Sequence, residues 1–286
     1  MIHSTTFYTV LLATLHLFYV AKAQQCSGNP TPTNSIQTSL ASGYTAQVVA
    51  TGLTAPRSLE FDSSGNLLVL EQARGLSSHV LHDNGGVCVT FQNSKDLILN
   101  SNLTHGLALS ADERTVYVSD SDSVYAYGYD ASTSSITSNA SVFVTGMNNS
   151  DHTTRTILYP RTVSGLLVIS RGSGGNLDIG AATESTGISQ IKAFNLTGVP
   201  AGGYNFANDG IVMGWGLRND VGIVEHPTTG GLWSVENSYD QLMRNGVDVV
   251  SVNLLPPLAF LAHRSVNGNS HRHHLFSSPT DSPFHI

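Results

Sequence analysis

Three polar stretches hold most of the side chains in this sequence that can do chemistry. The first is Asp151-His152-Thr153-Thr154-Arg155-Thr156, and the second runs Ser170-Arg171-Gly172-Ser173-Gly174-Gly175-Asn176-Leu177-Asp178. The third begins at Gly214-Trp215-Gly216-Leu217-Arg218-Asn219-Asp220 and resumes at Trp233-Ser234-Val235-Glu236-Asn237-Ser238-Tyr239-Asp240. A guanidinium stays charged and is costly to bury alone, so Arg155, Arg171 and Arg218 point to an anionic ligand. A carboxylated cofactor suits them, because the planar fork binds a carboxylate through two parallel hydrogen bonds. Each Arg also has a carboxylate close in sequence, Asp151, Asp178 or Asp220, and an internal ion pair accounts equally well for any one of them. Trp215 and Trp233 offer stacking surfaces for a flat ligand, or core filling.

Something must bring these stretches to one place. Beyond the first 23 residues the chain shows almost no helical periodicity. It shows instead four short apolar runs: Gly-Asn-Leu-Leu-Val-Leu-Glu (65–71), Arg-Thr-Val-Tyr-Val-Ser-Asp (114–120), Gly-Leu-Leu-Val-Ile-Ser-Arg (165–171) and Gly-Leu-Trp-Ser-Val-Glu-Asn (231–237). Each follows a turn-forming cluster, and their starts lie 49, 51 and 66 residues apart. A period near 50 residues built on strands is the pattern of propeller blades, with one strand per repeat lining the central channel. A sandwich with regular turns is the alternative. Preceding strands are expected at 46–50, 104–109 and 221–225. In a propeller the polar residues closing each repeat gather around one pocket: Glu71 and Arg74, Asp120 and Asp122, Arg171 and Asn176, Glu236 and Asn237.

Composition narrows the classes. The 286 residues are 40% hydrophobic and 12% charged, with 13 Lys+Arg against 20 Asp+Glu. So low a charge with so much apolar content argues against disorder, and a formal charge of −7 without a basic run argues against a nucleic-acid partner. Two cysteines are too few for a disulfide framework or a zinc ribbon. Residues 10–20 form an apolar run of signal-peptide length, followed by Ala21-Lys22-Ala23, so residues 1–23 read as a secretion signal, with an N-terminal anchor as the rival. On that reading the protein is extracellular, with no membrane association after cleavage. Asn102, Asn139, Asn148 and Asn195 begin glycosylation sequons. Cys26 and Cys88 either pair in the oxidising compartment or remain free thiols.

Taken together, and in order from about Gly43 to Asp248, four motifs resemble the fungal pyrroloquinoline-quinone-dependent pyranose dehydrogenases and their soluble glucose and sorbosone dehydrogenase relatives. They are His-Thr-Thr-Arg-Thr (152–156), Ser-Arg-Gly-Ser-x-x-Asn-x-Asp (170–178), Gly-x-Gly-Leu-Arg-Asn (214–219) and Gly-Leu-Trp-Ser-Val-Glu-Asn-Ser (231–238). The resemblance implies an all-β, six-bladed propeller that oxidises a sugar, passing hydride to the quinone and electrons on to an external acceptor such as a cytochrome. It implies that His152 is the general base, a role suited to an imidazole, with Asp151 available to orient it. Arg218 and Asn219 match the pair that contacts the quinone, and Arg155, Arg171, Arg57 and Arg74 are further candidates for its carboxylates. Calcium is the implied metal, with Glu236, Asn237, Ser238 and Asp240 as candidate ligands.

The match to the family pattern fades at 248–249. A tail at 250–286 carries His263, His271, His273, His274 and His285 and is expected to be disordered and foreign to the family, leaving residues 24–249 as the propeller domain. That segment holds about four repeats, whereas six blades need on the order of 350 residues at this period. The expectation is therefore an incomplete, C-terminally truncated propeller, and the alternative function is an inactive paralogue or a secreted sugar-binding propeller.

Overall fold

Each repeated run, with the segments around it, forms a small antiparallel sheet. The structure, a computed structural model, describes Cys26, Asn29, Pro30 and residues 40–44, 46–85, 88–149 and 151–240, and the backbone of 243–244, 247–248 and 251–255. Residues 1–23, expected to be a secretion signal, and all residues from 256, most of the tail expected to be disordered, lie outside the described residues. The first sheet runs β1 (Pro56–Phe61), β2 (Asn66–Glu71), β3 (Gly75–Asp83) and β4 (Val89–Leu99) in that order. The second contains β5 (Leu103–Leu109), β6 (Thr115–Asp120), β7 (Val124–Asp130) and β9 (Ser141–Thr145), with β8 (Ser135–Ile136) paired to β7. The third has β10 (Ile157–Leu158), β11 (Leu166–Arg171), β12 (Gln190–Asn195) and β14 (Ile211–Trp215), while β13 (Tyr204–Asn205) leaves it to pair in parallel with β9. In the fourth, β15 (Asp220–Glu225) and β16 (Leu232–Glu236) precede a hairpin of β17 (Met243–Arg244) and β18 (Val247–Asp248), and β19 (Ser251–Leu255) pairs with β16. The domain boundary expected at 249 thus falls inside this sheet, because β19 begins two residues past it.

Neighbouring sheets pack face to face through three apolar layers. Leu68, Leu70 and Leu76 meet Leu107, Val116 and Val118 between the first two sheets. Phe143, Val144 and Met147 meet Leu167, Ile169 and Phe194 between the second and third. Leu166, Val168 and Met213 meet Leu217 and Leu232 between the third and fourth. Strands covered on both faces must be apolar throughout, which is why β11 is buried along its whole length. The fourth sheet has one covered face: along β16, Leu232, Ser234 and Glu236 are buried while Trp233 and Val235 are exposed.

The repeated runs prove to be the second strand of each sheet. The strands that meet across the middle are the first ones, β1, β5, β10 and β15. Ser58 Oγ on β1 donates to the His105 carbonyl on β5 at 2.5 Å, and His105 Nε2 lies 3.2 Å from the Val221 carbonyl on β15. Two of the expected preceding strands correspond to β5 and β15, but residues 46–50 are not a strand, since β1 takes the place beside β2.

The chain divides into two compact units, one holding the described residues up to Thr51 with His82–Thr90, the other Gly52–Leu81 with Phe91 onward. Within the first, Cys26 and Cys88 form a disulfide, their Cα atoms 5.3 Å apart. The three apolar layers between sheets and the site described next belong to the second.

Candidate active site

Strands β2, β6, β11 and β16 close on Glu71, Asp120, Arg171 and Glu236, all but Asp120 buried. The loops leaving β9, β11 and β16 and the one entering β15 then meet. His152 sits in the loop between β9 and β10, its Nδ1 2.9 Å from both the carbonyl and the hydroxyl of Ser173. Ser173 follows β11, and its N–H donates to the Arg218 carbonyl at 2.8 Å, just ahead of β15. Thr154 Oγ1 donates to Asn219 Oδ1 at 2.8 Å. His152, Arg218 and Asn219 are therefore brought together by the backbone and hydroxyl of Ser173 and by Thr154. Asp151 lies beside the ring, its Oδ2 4.0 Å from His152 Nε2.

Arg155 is fully buried and spends its guanidinium on its own loop. Nη1 donates to the carbonyls of His152 and Thr154 at 2.7 and 2.6 Å, and Nη2 to the Met147 carbonyl and Asn149 Oδ1 at 2.7 and 3.0 Å. Burial, then the like charge of Arg171, lowers Arg155 to about 9, with Asp122 and Asp120 opposing, so it stays a cation at neutral pH. Arg171 donates through Nη1 to the Thr186 carbonyl at 2.9 Å, and its buried Nε has no partner among the described residues. Burial lowers its pKa as well, opposed by Asp122 and Asp178.

Arg218 reaches across to the loop after β16. Its N–H donates to Glu236 Oε1 at 2.6 Å, Nη1 to the Asn237 carbonyl at 3.1 Å, Nη2 to Asp240 Oδ2 at 2.9 Å and Nε to the Asn176 carbonyl at 3.2 Å. Ser238 lies in the same loop. Arg74 is engaged elsewhere, with Glu71 at 3.0 Å and Asp96 at 2.6 Å. Arg57 is exposed on β1 and acts electrostatically on His105. Neither is drawn into the cluster around His152.

Several residues that the sequence offered only as loop formers or as ion-pair partners for an Arg also build this site. Asn149 donates to the carbonyls of Gly172 and Ser173, both at 3.0 Å, and so joins the β9 and β11 loops. Asp178 holds Gly174 N at 2.7 Å and Gly180 N at 2.9 Å, folding the loop back on itself. Asp220, opposite Glu236 in the strand pair, is 2% exposed. Burial above all pushes it up to about 7; the Ser234 hydroxyl pulls the other way and Glu236 adds to the rise. An Asn in a loop, and an Asp that can pair with a neighbouring Arg, give no sequence signal for these contacts.

Comparison with known proteins places the chain in a family. A TrAA12-like family profile matches residues 38–280. The chain belongs to that family. It is 43% identical over 247 residues to a pyrroloquinoline quinone-dependent sugar dehydrogenase of Hypocrea jecorina, covering 85% of this chain and 57% of the relative. A calcium structure of the Trichoderma reesei AA12 enzyme superposes with a TM-score of 0.71 at 41% identity, over 79% of this chain and 59% of that one. The holo pyranose dehydrogenase domain of Coprinopsis cinerea gives 0.70 at 37% identity, over 79% and 54%. The family profile runs past residue 249, and this chain spans somewhat over half the length of these relatives. The nearly all-β, propeller-type fold expected from the repeats is shared with them.

The donor set suits an anionic quinone. Arg171 keeps an unpartnered buried N–H, and the Arg218 side chain, 12% exposed, meets a single carboxylate. The calcium candidates fit less well. The Glu236 carboxylate, Asn237 carbonyl and Asp240 carboxylate each accept from Arg218, and among the described residues no three His, Cys, Asp or Glu side chains gather as a metal cage.

Proposed function

We propose that this chain is a secreted quinoprotein oxidoreductase that oxidises a pyranose, with pyrroloquinoline quinone as cofactor and His152 as general base. The observation that carries the reading is the convergence of His152 with Arg218 and Asn219 through Ser173 and Thr154, in a family whose relatives are named for this cofactor and for sugars. Bound at the site, the quinone would accept the hydride from the sugar carbon. His152 would take the hydroxyl proton, and Asp151, 4.0 Å from Nε2, would stand as counter-ion to the imidazolium so formed. Arg218 and Arg171 would hold the anionic cofactor, with Asn219, its amide oxygen engaged by Thr154, presenting its NH2. Arg155 supports this arrangement by fixing the loop that carries His152. No step is assigned to calcium, because the Glu236, Asn237 and Asp240 candidate oxygens serve Arg218. Electrons would leave to an external acceptor such as a cytochrome.

Secretion is supported by the leader-like residues 1–23 and by the exposure of all four sequon asparagines. Among the described residues no helix is long and apolar enough to cross a membrane. The second reading, an inactive paralogue that binds quinone or sugar without turnover, is favoured by one observation: the Glu236, Asn237 and Asp240 oxygens that were candidates for calcium each accept from Arg218. Reconstitution separates the two. With added quinone and calcium, dye reduction by one or more of a panel of sugars supports the oxidoreductase, and quinone binding without reduction supports the inactive reading.

A further inference from the structure

We propose that Ser173 is a positioning residue that holds His152 as its Nδ1–H tautomer and leaves the free lone pair on Nε2. The catalytic meaning of this rests on the reading of His152 as the base; the tautomer itself does not.

The argument follows the hydrogens. His152 Nδ1 lies 2.9 Å from the Ser173 carbonyl and 2.9 Å from its hydroxyl oxygen. A carbonyl only accepts. The hydroxyl has one hydrogen, and it is donated to the Gly175 carbonyl at 2.7 Å. Both oxygens therefore present lone pairs to Nδ1, so Nδ1 supplies the proton to the pair. A neutral imidazole has a single N–H, which leaves Nε2 bare. Asp151 agrees with this assignment: its carboxylate stands 4.0 Å from Nε2, beyond hydrogen-bond reach, where an N–H would draw it closer. It gains a partner only when Nε2 takes up a proton.

Ser173 can impose this geometry because it is itself held. It is 2% exposed, its N–H is fixed to the Arg218 carbonyl at 2.8 Å, and its carbonyl also accepts from Asn149 Nδ2 at 3.0 Å. Both orienting atoms are neutral, and among the described residues no carboxylate is hydrogen-bonded to Nδ1. The sequence signal was the Ser of Ser170-Arg-Gly-Ser173, whose hydroxyl is small enough to turn toward both the ring and Gly175.

The test is nitrogen-15 NMR of the full chain labelled at histidine, at a pH above the imidazole titration. His152 is assigned by the loss of its signals in His152→Gln. The expected result is a pyrrole-type shift at Nδ1 and a pyridine-type shift at Nε2. The reverse pattern overturns the proposal. Ser173→Ala removes one of the two acceptors and is expected to move the ring toward a mixture of tautomers, with Ser173→Thr restoring the original pattern. An unchanged spectrum in Ser173→Ala overturns the role of the hydroxyl. None of these readouts needs sugar oxidation, so a chain that proves inactive leaves the tautomer assignment standing, and an active chain with the reverse tautomer refutes the assignment alone.

Discussion

Gly172 lies directly beneath His152: a Cβ at position 172 would stand 2.8 Å from the His152 Cβ, and 3.0 Å from both the Arg218 carbonyl and Asn219 Oδ1. One missing methyl group thus allows the β11 loop, the candidate base and the Arg-Asn pair to approach. Gly172→Ala is expected to push these three apart while leaving the sheets intact. A displacement of this kind, on the order of 1 Å, costs about 100-fold in rate where geometry governs catalysis. Sugar-dependent dye reduction of the reconstituted variant, beside its urea midpoint, tests this. Full activity would show that the close approach has no bearing on the chemistry.

Arg155 was a candidate for the cofactor's carboxylates, and its four hydrogen bonds to its own loop give it a different burden. Arg155→Met leaves those buried oxygens without donors. At about 1–3 kcal/mol for each group left unsatisfied, the urea midpoint should fall well beyond the effect of an ordinary surface change. Arg155→Lys keeps the charge but cannot span four acceptors, and is expected to recover only part of the loss. Quinone affinity lost without loss of stability would restore Arg155 to the cofactor.

How much of this was visible in the sequence follows from what each residue touches. The second strands of the first three sheets stand out because they are covered on both faces, so Leu68–Leu70 and Leu166–Ile169 read as apolar runs. Of the first strands, β5 and β15 were legible, whereas β1, which opens on Pro56-Arg57, and β10, only two residues long, carry no apolar run. Even β5 is interrupted by His105 and Gly106. This is why the repeated run was taken as the strand lining the channel. His152, Arg218 and Asn219 stood out as candidates because their motifs are distinctive. The atoms that join them are a Ser173 carbonyl, an Asn149 amide and a Thr154 hydroxyl, whose residue types occur in any loop. Pairing of Arg218 with Asp240, 22 residues away, depends on the β15–β16 hairpin and not on spacing.

His105 makes the fold sensitive to acid. Burial above all, then the positive charge of Arg57, lowers it to about 4 from an ordinary 6.5, with the Val221 carbonyl opposing. The folded state therefore binds fewer protons than the unfolded chain between these values. The stability this contributes is complete above pH 6.5 and is lost as pH falls toward 4, by on the order of 3 kcal/mol at most. Melting temperatures across this range should decline more steeply for the wild type than for His105→Gln, which cannot take up a proton. Parallel curves would place the acid sensitivity elsewhere, His79 being the next buried imidazole with a lowered pKa.

Asp240 decides between two uses of the loop after β16. Its carboxylate meets Arg218 at 2.9 Å, with 68% of the aspartate side chain and 12% of the arginine side chain exposed. An exposed pair of this sort contributes about 1 kcal/mol or less, so Asp240→Asn should leave the fold nearly as stable as before. If Asp240 serves Arg218, the variant frees guanidinium donors for an anion: quinone binding holds or strengthens, and any stabilisation by added calcium is unchanged. If Asp240 is a calcium ligand, the calcium-induced rise in melting temperature shrinks in the variant, and quinone affinity falls with it. Thermal scans with and without calcium, paired with a quinone titration, distinguish these outcomes. The present geometry, in which Arg218 also takes Glu236 and the Asn237 carbonyl, leads us to expect the first.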